Sequence, residues 1–244
     1  MFRYGEVFLR EHDIKDERRV GILTEHNGVI SFNHVMVTPS PSLVRRERER
    51  SETRRLILEA ARRMFVEHGY EATTMRSIAA KIGYTATAVY HHFKDKTALV
   101  GELCAIDFRA LTEALRKAGS VADPLERLGR MGEAYVEFGL SHPMHYQFMF
   151  MTPRPTGLDA MATDPGADCY GYLLETCRAV VATGRLRPEF ADADQVAQIA
   201  WGALHGLVAL QVTKGHDDVV PWRNARETAA MMGTALIRGM LRET

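Results

Sequence analysis

Cysteine is scarce in this sequence of 244 residues, and no two cysteines form a Cys-x-x-Cys pair. There are three cysteines, Cys104, Cys169 and Cys177, so at least one cannot be part of a disulfide within the chain. A regular helix would hold Cys169 and Cys177 about 12 Å apart, which is too far for a disulfide. His142 and His145 have no acidic residue or cysteine beside them at ligand spacing. These absences argue against a disulfide scaffold, a redox pair and a metal centre. We therefore predict free structural thiols, no metal and no cofactor.

Long apolar segments are missing as well. The longest nearly unbroken one, residues 199–210, has 12 residues and is interrupted by His205, whereas a membrane-spanning helix needs about 20. The first 19 residues mix acidic with basic side chains and contain no apolar stretch of the kind found in export signals. With 46% hydrophobic and 25% charged residues, the composition is that of a globular protein. We predict a cytoplasmic protein with no membrane partner.

A net charge is absent too, because 31 Lys and Arg balance 31 Asp and Glu. The charges are nevertheless distributed unevenly along the chain. Residues 44–98 contain 12 basic and 7 acidic residues, a net charge of +5, whereas residues 99–244 contain 14 and 18, a net charge of −4. A basic segment followed by a larger acidic one is expected when one part of a protein binds a polyanion.

The spacing of apolar residues predicts an all-α protein. After residue 98 every segment of any length has helical periodicity, and no strand pattern competes with it. Prolines and glycines separate the segments. The predicted helices are residues 99–117, 124–141, 144–151, 167–183, 193–214 and 224–242.

The first 50 residues are predicted to be an extension rather than a domain. A short hairpin can form around Asn27-Gly28, and TPSPS at residues 38–42 has the composition of a linker. Residues 36–50 have the composition of a disordered basic lead-in, and residues 1–35 are expected to be an over-extended start, which N-terminal sequencing of the native protein would test. The predicted parts are an extension (1–50), a small helical domain (51–98) and a larger helical domain (99–244).

Residues 51–98 predict three short helices and the start of a fourth, marked by N-cap residues and glycines. The second and third, joined by a sharp turn, form a helix-turn-helix, which places its second helix in the major groove of DNA. The markers are Ser51 and Gly69 for the first helix, Thr74 and Gly83 for the second, Thr85 and Phe93 for the third, and Lys96 for the start of the fourth.

The third helix has a narrow leading face, as a major groove about 12 Å wide requires. Ala86 and Ala88 are small, and Thr87 can contact a base edge through its methyl group or hydroxyl. Thr74 and Thr85 stand at helix starts, where free backbone N–H groups attract phosphate. The preceding arginines would form a mobile arm that binds phosphate with little specificity. This arm consists of Arg45, Arg46, Arg48, Arg50, Arg54 and Arg55.

The stretch EAARRMFVEHGYEATTMRSIAAKIGYTATAVYHHFKDKTALV resembles the DNA-binding domain of the TetR family of bacterial repressors. The resemblance covers residues 52 to about 104. Its motifs are Phe65-x-x-x-Gly69, Thr74-x-Arg76-x-Ile78-Ala79, Gly83 in the turn, Tyr90-x-x-Phe93 and Lys96. Ser77 departs from the pattern, because an acidic residue is common there in the family. Ala86 and Ala88 offer no hydrogen bonds, so the operator sequence does not follow from these residues.

The resemblance implies phosphate contacts at Thr74, Thr85, Tyr90, His92 and Lys96. It implies base contacts at Arg76 and Thr87, with Ala86 and His91 as further candidates. Other roles stay open for several of these side chains, because the third helix has a buried side as well as a groove side. Tyr90 can instead pack against the first helix, His92 can be a surface residue, and Arg76 can form a surface salt bridge. Phe93 is expected in the core.

A dimer is expected, because two recognition helices must lie one DNA turn apart, about 34 to 36 Å, on a palindromic site. The last two long helices have wide apolar faces with small residues, and in the family such a pair forms a four-helix bundle with its mate. The alternative is that these faces only cover the core of one protomer. The predicted interface residues are Leu204, Leu207, Val208, Met232, Leu236 and Met240.

The segments AYVEFGLSHPMHYQFMF and WGALHG resemble a C-terminal domain subtype of the family that is named for its Trp, His and Gly. An apolar effector pocket among these helices is expected, although each lining residue alone is compatible with a core position. His205 is either a buried histidine with satisfied hydrogen bonds or a polar anchor. The predicted lining is Tyr135, Phe138, Phe148, Met149, Tyr170, Trp201 and His205.

The resulting hypothesis is a homodimeric, sequence-specific DNA-binding regulator, a repressor that a small apolar effector releases from a palindromic operator. Two alternatives remain. One is a constitutive or partner-controlled DNA-binding protein without an effector, which would lack a ligand cavity. The other is a helical enzyme, but the sequence has no GxGxxG, P-loop, GxSxG or HExxH motif, and we expect no enzymatic activity.

Overall fold

The computed structural model describes residues 19–26, 29–36, 40–153 and 168–242. The chain divides into two compact units, residues 1–54 and 55–244. The first unit contains an antiparallel hairpin of β1 (Arg19–His26) and β2 (Val29–Met36). The hairpin lies where Asn27-Gly28 predicts one, and the turn itself lies outside the described residues.

The first helix, α1, spans Pro41–Ala72 and begins ten residues before the predicted N-cap at Ser51. The prediction of a disordered segment up to residue 50 is wrong for residues 41–50. The proline fits the first turn of a helix, where its missing N–H is not needed. The following Arg and Glu residues are good helix formers, and Arg45 pairs with Glu49 one turn later at 3.5 Å.

The arginines predicted to form a mobile arm therefore lie on a helix, where those at 45, 46, 48 and 50 are exposed. Towards the other end of α1, Gly69 interrupts the helix with a φ of 81°, a left-handed conformation that favours glycine. The sequence predicted the end of the first helix at this residue.

Eight further α-helices and one 3₁₀ helix (Pro188–Phe190) follow in the described part of the chain, and the bounds of the α-helices are close to the predicted ones. The α-helices are α2 (Met75–Lys81), α3 (Ala86–Tyr90), α4 (Lys96–Ala118), α5 (Pro124–Ser141), α6 (Pro143–Phe150), α7 (Cys169–Ala182), α8 (Ala193–Lys214) and α9 (Ala225–Met240). Apart from one β-bridge between Leu186 and Leu241, the described residues from 40 onward contain no strand. The predicted all-α fold is confirmed there.

One buried cluster joins α1–α4 to α5, α6 and α8 in the second unit. Its largest fully buried side chains include Tyr146, Phe65 and Phe148. A smaller cluster lies beneath α5, α7, α8 and α9. Because α4 runs through the predicted domain boundary at 98/99 and its apolar face is part of the larger cluster, the core is continuous across that boundary. The division into two helical domains stays a prediction.

Helix α8 is the one described helix that is long and apolar enough, by length and composition, to cross a membrane. The sequence prediction did not anticipate this, because it considered only the 12-residue apolar run. One such helix is weak evidence for a span, since core and interface helices have the same composition. In this fold α8 packs against α5, α6, α7 and α9.

Candidate nucleic-acid interface and ligand cavity

Buried side chains pack the inner side of the helix-turn-helix against the core. Val89 on α3 is fully buried, and Phe93 just after it is 3% exposed. The opposite side of α3 faces outward, with Thr87 and His91 exposed and Tyr90 51% exposed. At this exposure Tyr90 is not a core residue, and both its phosphate contact and its packing against the first helix stay predictions. Phe93 is a core residue, as predicted.

The two predicted caps are present at the starts of α2 and α3. Thr74 Oγ1 accepts a hydrogen bond from Ser77 N at 3.1 Å, and Ser77 Oγ in turn accepts from Thr74 N at 2.9 Å. Ser77 thus completes a capping box at the position where the family often has an acidic residue. Thr85 Oγ1 accepts from Ala88 N at 3.2 Å. Both threonines are exposed at helix N-termini, where an anion is favoured.

The remaining predicted DNA contacts differ in exposure. Arg76 is exposed, whereas Ala86 and His92 are half-buried. The Nζ atom of Lys96 donates to Tyr70 O at 2.7 Å and to Thr73 O at 2.9 Å, and it lies 3.9 Å from the centre of the Tyr70 ring. Lys96 therefore has a structural role that the sequence did not predict. Its ammonium group carries three hydrogens, so a phosphate contact through the third stays a prediction.

Thr73 is a further residue that the sequence did not single out. It is fully buried, and its hydroxyl donates to Met64 O or Gly69 O at 3.1 and 2.8 Å. Its hydroxyl thus ties the residues between α1 and α2 back to α1, and Lys96 binds two backbone carbonyls of the same segment.

A buried ionic cluster joins α1, α4 and α6. The Arg62 guanidinium donates to both carboxylate oxygens of Asp107, with distances of 3.0 Å from Nε and 2.7 Å from Nη2. The Asp107 side chain is fully buried and the Arg62 side chain is 8% exposed. His145 Nδ1 lies 2.9 Å from the same carboxylate and is 35% exposed. None of the three was predicted as a functional residue.

A cavity of about 880 Å³ lies among α4, α5, α7, α8 and α9. This is within the usual range for small-molecule sites. Its walls are mainly aliphatic and aromatic. Of the seven predicted lining residues, three line it, namely Tyr135, Tyr170 and Trp201.

The predicted lining is wrong at four positions. Phe138, Phe148 and Met149 are buried in the helical core, at 8%, 1% and 1% exposure, and do not line the cavity. Their side chains face the neighbouring helices, which apolar periodicity alone cannot distinguish from facing a cavity. His205 lies behind the wall, where it contacts Tyr135. The structure adds Leu111, Leu115, Met131, Phe150, Leu173 and Leu204 among others.

Tyr135, Tyr146, Trp201 and His205 form one hydrogen-bonded cluster at the cavity wall. Trp201 Nε1 donates to Tyr135 Oη at 3.1 Å, and the two tyrosine oxygens are 3.0 Å apart. His205 Nδ1 lies 2.6 Å from Tyr146 Oη and 3.1 Å from Tyr135 Oη. His205 is therefore a histidine with a satisfied hydrogen bond that also supports a cavity residue. Tyr146, which is fully buried, was not predicted.

Burial shifts the acid–base properties of this cluster. It raises the pKa of Tyr135 to about 12, raises the pKa of Tyr146, and lowers the pKa of His205 below its usual value of 6.5. Burial also raises the pKa of Cys169 and of Cys177 to about 12, so both stay thiols at neutral pH. Protonated thiols are poor nucleophiles, which fits the predicted structural role.

The lowered pKa of His205 predicts a loss of stability in mild acid. The unfolded chain binds a proton at His205 near pH 6.5, whereas the folded chain resists protonation until lower pH. The free energy of unfolding should therefore fall between pH 7.5 and 5.5, and a His205→Gln variant should show a shallower fall. Urea unfolding at several pH values measures both slopes, and parallel slopes would contradict the assignment.

The charged residues of the cavity lining are all exposed, namely Arg130, Glu133, Glu137, Arg226 and Arg238. Arg226 binds Glu137 at 2.6 and 3.1 Å, and Arg130 binds Glu126 at 3.0 and 2.8 Å. Hydrogen bonds from Arg226 and Ser141 lower the pKa of Glu137 to about 2. The carboxylate of Glu137 is therefore ionised throughout the physiological range.

The predicted dimer interface needs correction at two of its six positions. Val208 is fully buried against α5, where a Cβ on Gly139 would overlap its side chain, and Met240 is 3% exposed in the smaller core cluster. Both therefore pack within their own protomer. Leu204 and Leu207 pack partly against the larger cluster and Leu236 against the smaller one, while Met232 is half-buried.

Exposed apolar and small residues remain on the outer faces of α8 and α9. Leu210 is 51% and Met231 74% exposed, and Ala235 is exposed. A Cβ added at Gly202 or Gly239 would meet nothing within 4 Å. A groove of about 330 Å³, lined by Ile199, Met232, Ala235 and Gly239 with neighbouring residues, runs between the two helices. An exposed patch of this composition is typical of an interface.

Two family descriptions match the chain. "Bacterial regulatory proteins, tetR family" matches residues 57–103, and "Tetracyclin repressor-like, C-terminal domain" matches residues 128–235. The second match does not confirm the Trp-His-Gly subtype. Among solved structures, the TetR family regulator PfmR of Thermus thermophilus is similar with a TM-score of 0.59 and 27% identity over 76% of this chain and 99% of PfmR. The ketosteroid regulator KstR2 of Mycobacterium tuberculosis has a TM-score of 0.60 at 24% identity over 78% and 96%, a likeness of fold.

Curated relatives extend the comparison. The repressor AcnR of Corynebacterium diphtheriae is 41% identical over 73 residues, which are 30% of this chain, and the chain covers only 38% of its length. The HTH-type transcriptional regulator TtgR of Pseudomonas putida is 38% identical over 178 residues, which cover 68% of this chain and 83% of TtgR. Both predicted helical regions thus match the family, and the chain belongs to the TetR family of bacterial regulatory proteins.

Proposed function

We propose that this protein is a homodimeric transcriptional repressor that binds a palindromic DNA operator and is released by a small apolar effector. The observation that carries the proposal is the capped pair α2–α3, whose outer face presents Thr87, Tyr90 and His91 while Val89 and Phe93 hold it from behind. The DNA contacts proposed are Thr74, Arg76, Thr85, Ala86, Thr87, Tyr90, His91, His92 and Lys96. A protein with this role works in the cytoplasm.

The cavity supports effector control over constitutive DNA binding. A site of about 880 Å³ with apolar walls is large enough for a drug-sized molecule. For the effector to act as a release signal, it must bind the DNA-incompetent arrangement more tightly than the competent one. By thermodynamic linkage, operator DNA must then weaken effector binding by the same factor.

Helix α4 is the proposed connection between the two functions. Its Leu111 and Leu115 line the cavity, and its Asp107 binds Arg62 on α1. The same carboxylate contacts His145 on α6. A ligand that displaces α4 would therefore act on α1 through a buried ion pair, which keeps its geometry better than an exposed one.

The proposed dimer uses the outer faces of α8 and α9, which predicts the effect of one substitution. Ala235→Glu places a charge on the exposed groove without removing a contact inside the protomer. We expect monomers in sedimentation velocity at micromolar concentration, because a buried unpaired carboxylate opposes association. Ala110→Glu, at an exposed position of α4, is the matched control and should remain dimeric. A dimeric, folded Ala235→Glu variant would contradict this interface.

Selection of bound sequences from a random duplex library tests the proposed function. The selection is made near physiological salt, where non-specific phosphate binding is weakened. Enrichment of one palindrome with half-sites about one helical turn apart is the expected result. A folded, dimeric protein that enriches no sequence would overturn the proposal of direct operator binding.

A further inference from the structure

The hydrogens of the polar cluster at the cavity wall are assigned from the distances between its oxygen and nitrogen atoms. Tyr146 Oη lies 2.6 Å from His205 Nδ1 and 3.3 Å from His205 O, and the shorter separation is short for an N–H donor but fits an O–H donor. Tyr146 therefore donates and Nδ1 accepts, which places the proton of the neutral imidazole on Nε2. The lowered pKa of His205 agrees with a neutral ring at pH 7.

The hydrogens of the other two members follow in turn. Trp201 Nε1–H can only donate, so Tyr135 Oη accepts that bond. The Tyr135 hydroxyl hydrogen then points to Tyr146 Oη at 3.0 Å, because the one lone pair of His205 Nδ1 already accepts from Tyr146. It stays within the cluster. The Tyr135 oxygen has two lone pairs, and among the described residues only Trp201 Nε1–H is placed to fill one of them.

Tyr135 and Trp201 line the cavity, whereas Tyr146 and His205 do not. The cluster therefore offers the cavity an acceptor, the second lone pair of Tyr135 Oη, and keeps its phenol and indole hydrogens for itself. The five charged lining residues are all exposed, and Arg226 and Glu137 pair with each other. No described lining residue is both charged and buried, so an ionised group in the cavity interior would be costly to bury.

We propose that the cavity takes an uncharged, largely apolar ligand that carries a hydrogen-bond donor, such as an alcohol or phenol hydroxyl, and that Tyr135 Oη accepts its hydrogen. This inference rests on the proposed function, because the cavity is the effector site there. A carbonyl or ether oxygen can only accept a hydrogen bond, and so can the free lone pair of Tyr135 Oη. A ligand whose only polar atom is such an oxygen would lose its hydrogen bond to water on binding and gain none from the cavity.

Calorimetric titration of the dimer with matched probes tests the proposal. One pair is 4-cyclohexylcyclohexanol and 4-cyclohexylcyclohexanone, another is dodecan-1-ol and its isomer methyl undecyl ether, and dodecanoate tests a negative charge. We expect each alcohol to bind about tenfold more tightly than its partner, as one buried hydrogen bond provides. Dodecanoate should bind more weakly than dodecan-1-ol. Equal affinities within a pair, tighter binding of dodecanoate, or no binding of any probe would overturn the proposal.

Two Tyr→Phe variants, each of which removes one phenol oxygen, distinguish the proposed acceptor Tyr135 from the neighbouring Tyr146. Tyr135→Phe should abolish the preference for the alcohols while leaving the affinity for the ether and the ketone unchanged. Tyr146→Phe removes a phenol oxygen that does not line the cavity, and Tyr135 can then donate to His205 Nδ1, so the preference should persist. If Tyr135→Phe fails to fold, the probe pairs on the unmodified protein still decide the question.

Fluorescence anisotropy of the selected operator, measured with the same probes, separates this inference from the proposed function. Release of operator by the ether as readily as by the alcohol would leave effector control intact and overturn the donor requirement. Preferential binding of the alcohol with unchanged operator affinity would support the donor requirement and overturn effector control.

Discussion

Asp107→Ala should lower the free energy of unfolding by about 3 to 5 kcal/mol, which is the usual effect of removing one partner of a buried ion pair. The substitution leaves the Arg62 guanidinium, 8% exposed, without the carboxylate that accepts two of its hydrogen bonds. Domains of this kind have a total stability of about 5 to 15 kcal/mol. The variant should therefore unfold at a much lower urea concentration, measured at a fixed protein concentration because the proposed dimerisation would contribute to stability.

Two controls show whether the loss comes from the uncompensated charge. His145→Ala removes the half-buried third member and should cost only about 1 kcal/mol, the usual value for one hydrogen bond. A double variant, Arg62→Met with Asp107→Leu, replaces both charges by apolar groups and should recover most of the stability. A single Asp107→Ala variant that unfolds like the unmodified protein would show that the pair contributes little.

Thr87→Arg should reduce specific operator binding by about a thousandfold or more, to the level of non-specific DNA. Thr87 is exposed on the short helix α3, between two alanines that keep its face narrow. An arginine would fill the space that a base edge must enter, while its charge still attracts phosphate. Affinity for unrelated DNA should therefore be unchanged or slightly higher. Anisotropy titrations with the selected operator and a scrambled duplex measure the two affinities.

The matched control adds the same charge away from the proposed groove face. Ala110 is exposed on α4, and Ala110→Arg should change operator affinity by no more than about threefold. Sedimentation of both variants checks that their oligomeric state equals that of the unmodified protein. If Thr87→Arg binds the selected operator normally, α3 is not the recognition helix, and the assignment of all the α3 contacts fails with it.

The helix boundaries show which features a sequence can predict. Proline and aspartate or asparagine caps mark helix starts locally, and α5 begins and ends at the predicted Pro124 and Ser141. The start of α1 was misplaced because the Ser-Pro sequence before it has the composition of a linker. In the structure the helix begins at this proline, Pro41. Local chemistry allows both conformations there, and residues 41–50 are exposed along their whole length, so no buried face marks them as a helix in the sequence.

The candidate sites were predicted less completely, because they depend on distant pairs. Arg62 and Asp107 are 45 residues apart and no spacing rule connects them. A signal was nevertheless present, since each interrupts the apolar face of its helix with a charge of opposite sign, and a buried charge requires a partner. Phe148 and Tyr135 are both buried aromatics, yet only Tyr135 reaches the cavity. Periodicity identifies the buried face of a helix but not what that face meets.

The bonds of Lys96 and Asp107 have a mechanical consequence. Both residues belong to α4, and both bind the α1–α2 region, Lys96 through the carbonyls of Tyr70 and Thr73 and Asp107 through Arg62. They are 11 residues apart, or about 16 Å along the helix. The first three turns of α4 are thus fastened at two points to α1 and to the loop before α2, and we expect these segments to move together. A molecule that binds against Leu111 or Leu115, beyond the second point, is then expected to rotate the helix-turn-helix without deforming it.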